Sequence, residues 1–405
     1  MAAKKRPRAR RAYGSGSTYQ TKAGTWYAQA RIDGKLVRRR AANEQAAQTA
    51  LAELQTLKVK KIDLASGGQS VTIWLEACLA ERVRLRHPKL STVENERGTI
   101  ERYILPIIGG MALLSIRPPH LQRVIDATYD GIQADGRYDG ARSAHAVATI
   151  LSRVFSLAAA RKLIPENPYA GIELPAYQPA PIAALEDDHL LALLRAVRGD
   201  RLLGLWWSYA LLGLRRGEGL GLRWMAYDSA AQTIRIDQQV QQIGGALVFG
   251  TPKTPQSIRL LPLPRRLAAL FERQRAALQG ERAAWADRCR ADPELPAWDA
   301  SGLIFPGRGG APLWPSAWGE HFRRVRRRAG LPATVKPHHL RHTLSTNLDE
   351  CGATEALKAG ILGHVKESQT QKYTHARVAA MRTVLQAVED RLFGAVEEVE
   401  KERAG

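Results

Sequence analysis

Prolines stand at Pro165, Pro168, Pro175, Pro179 and Pro181 in the run PENPYAGIELPAYQPAP, and no other feature limits what this chain can fold into so strongly. Each fixes φ and removes a backbone donor, so neither a helix interior nor a central strand passes through them. The run reads as an extended, semi-rigid connector, and the acids Glu186, Asp187 and Asp188 beyond it suit the first turn of a new helix. A main boundary is expected near residue 180, within a 405-residue chain long enough for two or three domains.

Upstream, residues 1–13 hold Lys4, Lys5, Arg6, Arg8, Arg10 and Arg11 and no acid. Such a tract repels itself and buries nothing, so a basic disordered arm is expected. From residue 14 to 62 the text changes to GSTYQTKAGTWYAQARIDGKLVRRR, with aromatic and β-branched residues at alternate places and turn signals at Ala23-Gly24 and Asp33-Gly34. This predicts a three-stranded antiparallel sheet, followed by a helix capped by Asn43. Arg31, Lys35, Arg38, Arg39 and Arg40 crowd onto these short strands, which favours nucleic-acid binding over a mere packing module. Ser66, Gly67 and Gly68 read as a linker into an all-helical region over 70–175, with segments at VTIWLEACLAERVRL and near 91–105, 119–129 and 141–163. Pro106 with Gly109-Gly110, and then Arg117-Pro118-Pro119, are expected to break those helices. Residues 176–185 form the linker, 186–393 a mixed α/β domain, and 394–405 a tail. The fold class is therefore multidomain, mainly α with small β-sheets.

Sixty Lys and Arg against 39 Asp and Glu give a net charge of +21, and the sequence pI is about 10.2. A polyanionic partner is expected. Nucleic acid is the usual one, since neutralised phosphates release counterions. An anionic membrane would call for a basic amphipathic helix or a lipidation signal, whereas the cations here are spread along the chain. No uninterrupted apolar run approaches the roughly 18 residues of a membrane span, and no apolar region follows the basic start as in a secretory signal. Cys78, Cys289 and Cys351 lie far apart without CxxC spacing, which argues against a disulfide framework, a zinc site or a redox pair. A reducing cytoplasm fits best.

The chemistry-bearing residues lie beyond 200. In LLGLWWSYALLGLRRGEGLGLRWMAYD a buried helix turns into a second one at Gly213, Arg215 follows the turn, and Glu218 sits three residues on, able to orient a guanidinium. The alternative is a solvated charged face of Arg215, Arg216, Glu218 and Arg223. QTIRIDQQV alternates like a strand, Gly244-Gly245 turns, ALVFG returns and SIRLLPLP adds a third strand, with Lys253 in the preceding turn. Alone, that lysine is ordinary surface. PHHLRHTLSTNL starts a helix on which His338, Arg341 and His342 share one face. These three would repel one another if charged, so they need an anion nearby or neutral histidines. His338 and His342 have the spacing of helical zinc ligands, but a zinc-protease pattern needs Glu where His339 stands and no third ligand is marked. Finally, ILGHVKESQTQKYTHARV places His364 after a Leu-Gly turn and Tyr373 nine residues later. A lone tyrosine there would ordinarily be core.

Taken in order, Arg…Lys…HxxRH…LGH…Tyr, these segments resemble the tyrosine recombinases, and among them the phage-type integrases. GLRRGEGLGLRW is similar to the family's first arginine box, TPKTPQSIRLLPLP to its β-hairpin lysine, HHLRHTLSTNL to its second arginine box and LGHVKESQTQKYTH to its nucleophile box. Residues 14–62 are similar to arm-site-binding domains and 70–175 to core-binding domains. The resemblance implies a site-specific DNA recombinase with a catalytic domain over 186–393, working through a 3′-phosphotyrosine in the integration of a phage or mobile element, with excision left open. Tyr373 would be its nucleophile. Arg215 and Arg341 would clamp the phosphate, Lys253 would protonate the leaving 5′-oxygen, His338 would help accept the tyrosine proton, and His364 would bond the phosphate. Glu218 and His342 would support the two arginine boxes. Neither cofactor nor metal is implied. The partners implied are double-stranded attachment sites, further copies in a tetramer on DNA, and a DNA-bending or directionality protein, in a bacterial cytoplasm. The rivals are a type IB topoisomerase-like enzyme and a noncatalytic DNA-binding protein. The segment 274–300 departs from the family pattern in length, and the apolar spacing of RVAAMRTVLQAVEDRLFG allows a helix docked on its own domain or on a neighbour.

Overall fold

The computed structural model describes residues 16–32, 34–135, 140–178, 183–252, 257–363 and 375–404. The chain divides into two compact units, Met1–Pro179 and Ala180–Gly405.

In the first unit, β1 (Ser17–Gln20), β2 (Trp26–Ile32) and β3 (Lys35–Ala41) form an antiparallel sheet in that order. The Asn43 side chain caps α1 (Glu44–Val59) by accepting from the Ala46 N–H at 2.8 Å. Ala28, Ala30 and Ile32 alternate along β2 and pack with Leu54, Leu57 and Ile62. In register, Ala28 faces Arg39 and Ile32 faces Lys35, whereas Tyr27, Gln29 and Arg31 face Arg40, Arg38 and Leu36. Directly paired residues share a face, so the five strand cations are divided. Arg31, Arg38 and Arg40 are exposed on the open face, where Tyr19 stacks on Tyr27 at 5.6 Å. Arg39 instead ion-pairs with Glu53 of α1, and Lys35 shares its face. Asp33 of the expected Asp33-Gly34 turn lies outside the described residues; Gly34 has φ 77°.

The Ser66-Gly67-Gly68 run is not an open linker. Leu64–Gly67 forms a short helix, α2, and a Cβ at Gly67 would lie 2.4 Å from the Leu163 carbonyl oxygen. Only glycine permits that approach. Then follow α3 (Val71–Arg86), α4 (Leu90–Thr99), α5 (Leu105–Ile108), α6 (Pro118–Asp135) and α7 (Gly140–Ala160). Pro106 does not break the chain into separate helices as expected. A π-helical segment, Ile100–Ile104, joins α4 to α5, and the proline sits in the first turn of α5, where its missing donor costs little. By length and composition α7 could match a bilayer span, yet Ala144, Val147, Leu151, Val154, Phe155 and Ala158 are buried in the core of this unit. It is a core helix.

The second unit runs through α8 (Asp187–Ala196), α9 (Leu203–Leu212), α10 (Arg216–Leu220), β4 (Tyr227–Asp228), β5 (Thr233–Ile236), β6 (Gln239–Ile243), β7 (Ala246–Gly250), β8 (Arg259–Pro262), α11 (Arg265–Ala291), α12 (Pro315–Arg328), α13 (Pro337–Glu350), α14 (Glu355–Leu362) and α15 (His375–Ala404). The stretch QTIRIDQQV, expected as one strand, divides at Asp237-Gln238. β5 pairs with β4 and β8 in one sheet, while β6 and β7 form a separate hairpin. α9 is buried on every side, as its uniformly apolar text requires. The long 274–300 stretch is accounted for mostly by α11, whose first half packs through Leu267, Ala268, Phe271 and Leu278. Its far end is tied back by the Trp285 indole, which donates to the Pro296 carbonyl at 3.0 Å.

α15 docks on its own unit. Met381, Leu385, Val388, Leu392 and Val396 enter the shared core, and Phe393 stacks on Trp207 at 3.8 Å. The helix continues to Ala404, through residues expected to be a tail. Fully buried Glu389 accepts from the Arg266 and Leu267 N–H groups at 2.9 and 2.8 Å, so its carboxylate satisfies the open amides at the start of α11. Glu389→Ala should therefore lower the unfolding free energy of this unit by about 1–3 kcal/mol, because buried donors lose their acceptor. Tryptophan fluorescence in a urea titration reports it, since seven of the nine tryptophans lie beyond residue 200; an unmoved midpoint would contradict the capping role.

Candidate active site

α9 ends at Gly213 in the left-handed region, φ 58°, where a Cβ would meet the side chains of Leu362 and Leu344 at 2.8 and 2.9 Å. This sharp stop delivers Arg215 to the N-cap of α10. Glu218, at the third helical position, reaches back so that Oε2 accepts from the Arg215 N–H at 3.0 Å and Oε1 from its Nη1 at 2.7 Å. The Ser257 hydroxyl accepts from the same Nη1 at 3.2 Å. The Arg215 side chain remains 27% exposed, whereas Glu218 is 0% exposed.

A second arginine reaches Glu218 from the other side. Arg259 opens β8, is 1% exposed, and donates from Nη2 to Glu218 Oε2 at 3.1 Å, from Nε to the Ile361 carbonyl at 2.7 Å and from Nη1 to the Ser257 carbonyl at 3.0 Å. Burial pushes the Glu218 carboxyl up, but Arg259 and Arg215 together outweigh it and hold the group below the usual carboxylate range. Glu218 is thus a charged, wholly buried anchor between two guanidiniums.

Pro337 starts α13, and its next turn carries Arg341 inward, 3% exposed, with Nη1 donating to the Gly213 carbonyl and Nη2 to the Leu362 carbonyl. Burial, then Arg215 and Arg259, push Arg341 down to about 9, with only Glu218 opposing. His338 and His342 stack edge to face at 4.8 Å between ring centroids. One side of His338 is open to solvent. Burial of the other, then His342, Arg341, Arg215 and His339, push it down to about 4. His342 is lowered as well, by burial first, and its buried Nε2 has no hydrogen-bond partner among the described residues. Both imidazoles are neutral at pH 7, which resolves the repulsion expected from their spacing.

Arg215, Glu218, Arg341, His338 and His342 are therefore gathered in one place. Lys253, His364 and Tyr373 lie outside the described residues. Among the described residues no group of three His, Cys, Asp or Glu side chains is placed to hold a metal. Sequence reasoning missed Arg259 and Ser257. A signal existed: in SIRLLPLP, Arg259 alternates in step with the buried Leu261 and Leu263, an unusual place for a guanidinium without a buried partner.

Guanidiniums from the start of α10, from β8 and from α13 thus converge within the second unit. The fold matches that of a Tn1549 transposon integrase in complex with transposon right end DNA (TM-score 0.56, 18% identity, 77% of this chain and 97% of that one) and a lambda integrase tetramer bound to a Holliday junction (0.53, 17%, 88% and 98%). Residues 201–379 match the phage integrase family, and 69–128 match the phage integrase N-terminal SAM-like domain. A tyrosine recombinase XerC-like protein of Caldanaerobacter subterraneus subsp. tengcongensis is 27% identical over 326 residues, spanning 76% of this chain and 80% of that protein. Over 201–379 and 69–128 the chain is thus similar to the phage integrase family, and these matches support a tyrosine-type site-specific DNA recombinase.

The His338 shift carries a pH consequence. Its folded pKa lies below its unfolded value near 6.5, so the unfolded chain binds more protons between about pH 6.5 and 4 and stability falls as pH drops through that window. His338→Gln should flatten this slope in urea midpoints measured at pH 7 and pH 5; an unchanged slope in the variant would mean that the imidazole is not held neutral.

Proposed function

We propose that this chain cuts and rejoins double-stranded DNA through a 3′-phosphotyrosine on Tyr373, in the integration and excision of a phage or other mobile element. The supporting observation is the charge of the cluster, where the guanidiniums of Arg215 and Arg259 bond the Glu218 carboxylate and, after burial, push the neighbouring Arg341 down. A phosphodiester in attack gains negative charge on its equatorial oxygens, so a preorganised, under-neutralised cationic pocket stabilises the transition state more than the ground state. Each such donor is worth about a hundredfold to a thousandfold in rate. In this reading Arg215 presents its half-exposed guanidinium to one oxygen and Arg341 supports the other from beneath.

The Tyr373 hydroxyl attacks phosphorus, its proton passing toward His338, while the bond from phosphorus to the 5′-oxygen breaks and that oxygen takes a proton from Lys253. The ester keeps the energy of the broken bond, so a 5′-hydroxyl from another strand reverses the step and rejoins the backbone. His364 bonds the phosphate, and His342 steadies the second arginine box. The open sheet face bearing Arg31, Arg38 and Arg40 is suited to attachment-site arms, with Lys35 and Arg39 on the opposite face. The solved relatives, one an integrase on transposon-end DNA and another a tetramer on a Holliday junction, support DNA as the partner and a tetramer as the working form.

Tyr373→Phe should bind attachment-site DNA as the wild type does but form no covalent adduct with a nicked suicide duplex on a denaturing gel. An adduct persisting in that variant overturns the nucleophile assignment. Binding should also weaken linearly in a plot of log affinity against log salt, with a slope of about −0.9 for each phosphate contacted; affinity indifferent to salt would contradict the electrostatic reading.

A further inference from the structure

Arg259 has no part in the reaction outlined above, yet its guanidinium donates three hydrogen bonds to the site's framework. It bonds the carboxylate that aims Arg215, the backbone of Ser257 whose hydroxyl also meets Arg215, and the Ile361 carbonyl near the end of α14. The next carbonyl, that of Leu362, is held by Arg341. Gly363, which follows in the left-handed region at φ 69°, passes so close that a Cβ would lie 3.3 Å from Arg259 Nη1. Two buried arginines therefore grip consecutive carbonyls at the point where the chain leaves α14, ten residues before Tyr373 in the sequence.

We infer that Arg259 is a positioning residue for strand cleavage, locking Glu218 so that Arg215 is aimed at the phosphate and tying that lock to the end of α14. This rests on the recombinase reading above. A structural filler of the same volume and charge would not serve. Lysine offers a point charge that cannot reach a carboxylate and two carbonyls in three directions at once, whereas the planar guanidinium does so in a fixed fork. Neither would a partner to Glu218 alone be enough, since the Ile361 bond links β8 to α14 as well. Because Arg259 is 1% exposed, it acts only through these neighbours.

The test is single-turnover formation of the covalent adduct on a suicide duplex, measured beside affinity for the intact duplex. Arg259→Lys should slow adduct formation about 10- to 100-fold, as expected for misplacing a reacting geometry, while affinity stays as in the wild type. Glu218→Gln should slow it likewise, and adding Arg259→Lys to Glu218→Gln should cost little more, because the lock is already lost. Unchanged adduct formation in Arg259→Lys, or losses that multiply in full in the double variant, would overturn the assignment. If Arg259→Lys does not fold, Arg259→Gln with Glu218→Gln leaves no buried charge at these positions and carries the same comparison against Glu218→Gln alone. A wild-type protein that forms no adduct would instead refute the recombinase reading itself, so the two failures are distinct.

Discussion

A carboxylate with no exposed surface is costly to bury, and it stays charged only where cations and donors surround it. Glu218 meets that condition through Arg215, Arg259 and the backbone of Arg215, and much of the second unit is arranged to supply them. The turn at Gly213 brings Arg215 to the start of α10, and the pairing of β8 with β5 brings Arg259 to the opposite side. Arg259 and Arg341 then extend the lattice to the carbonyls of Gly213, Ile361 and Leu362. Those carbonyls lie at the C-terminal ends of α9 and α14, where a helix carries partial negative charge and leaves oxygens without partners of its own. Both helices stop at a glycine with φ near +60°, Gly213 and Gly363, so the two negative ends can both approach Arg341. The cluster is thus held by helix ends as much as by side-chain pairing.

Much of this was legible before any coordinates. Period-two alternation in residues 14–62 gave the sheet, Asn43 its following helix cap, and the Gly213 turn the relation of Arg215 to Glu218. These are local signals, carried by residues within four positions of one another. The failures share the opposite character. Pro106 looked like a break because its missing donor is visible in the text, while the π-helical segment that absorbs it is not. QTIRIDQQV alternates throughout, but its two halves pair with different partners, and pairing is a tertiary choice. The basic run Lys35–Arg40 reads as one patch until the register shows that Arg39 turns to Glu53 while Arg38 and Arg40 stay outside. Arg259 was missed because its carboxylate partner lies 41 residues earlier. Three of the six expected catalytic residues, Lys253, His364 and Tyr373, lie outside the described residues and were legible only through motif order.

The long α11 and the docked α15 belong to one design. A helix N-terminus packed against a neighbour has open N–H donors that need acceptors, and Gln386 and Glu389 from α15 satisfy those of Arg265, Arg266 and buried Leu267. α15 is consequently specified by polar matching as well as by its apolar stripe, which is why it packs on its own unit in this structure. A second copy of the chain could offer the same acceptors to α11 only by displacing them, since each backbone N–H donates to one good acceptor.

The site also separates two kinds of charge. The arginines keep theirs near neutral pH, even Arg341 with its value brought down to about 9, whereas His338 and His342 have been emptied of charge by burial and by those same arginines. A neutral imbalance of this sort suits phosphate chemistry: permanent cations can stabilise a developing oxyanion, while a neutral imidazole is free to take a proton. The two requirements conflict if one residue must meet both, because an imidazolium that helps bind the anion is no longer a base. Arrival of a phosphate changes the balance. In the proposed reaction its negative charge opposes the part that Arg341 and Arg215 add to burial and His342 in keeping His338 neutral, so the imidazole would be more basic with the substrate in place than in the empty pocket. On that proposal the guanidinium cluster would do more than attract the anion: by adding to burial in setting the resting state of His338, it would make that imidazole's readiness to accept a proton depend on the phosphate itself.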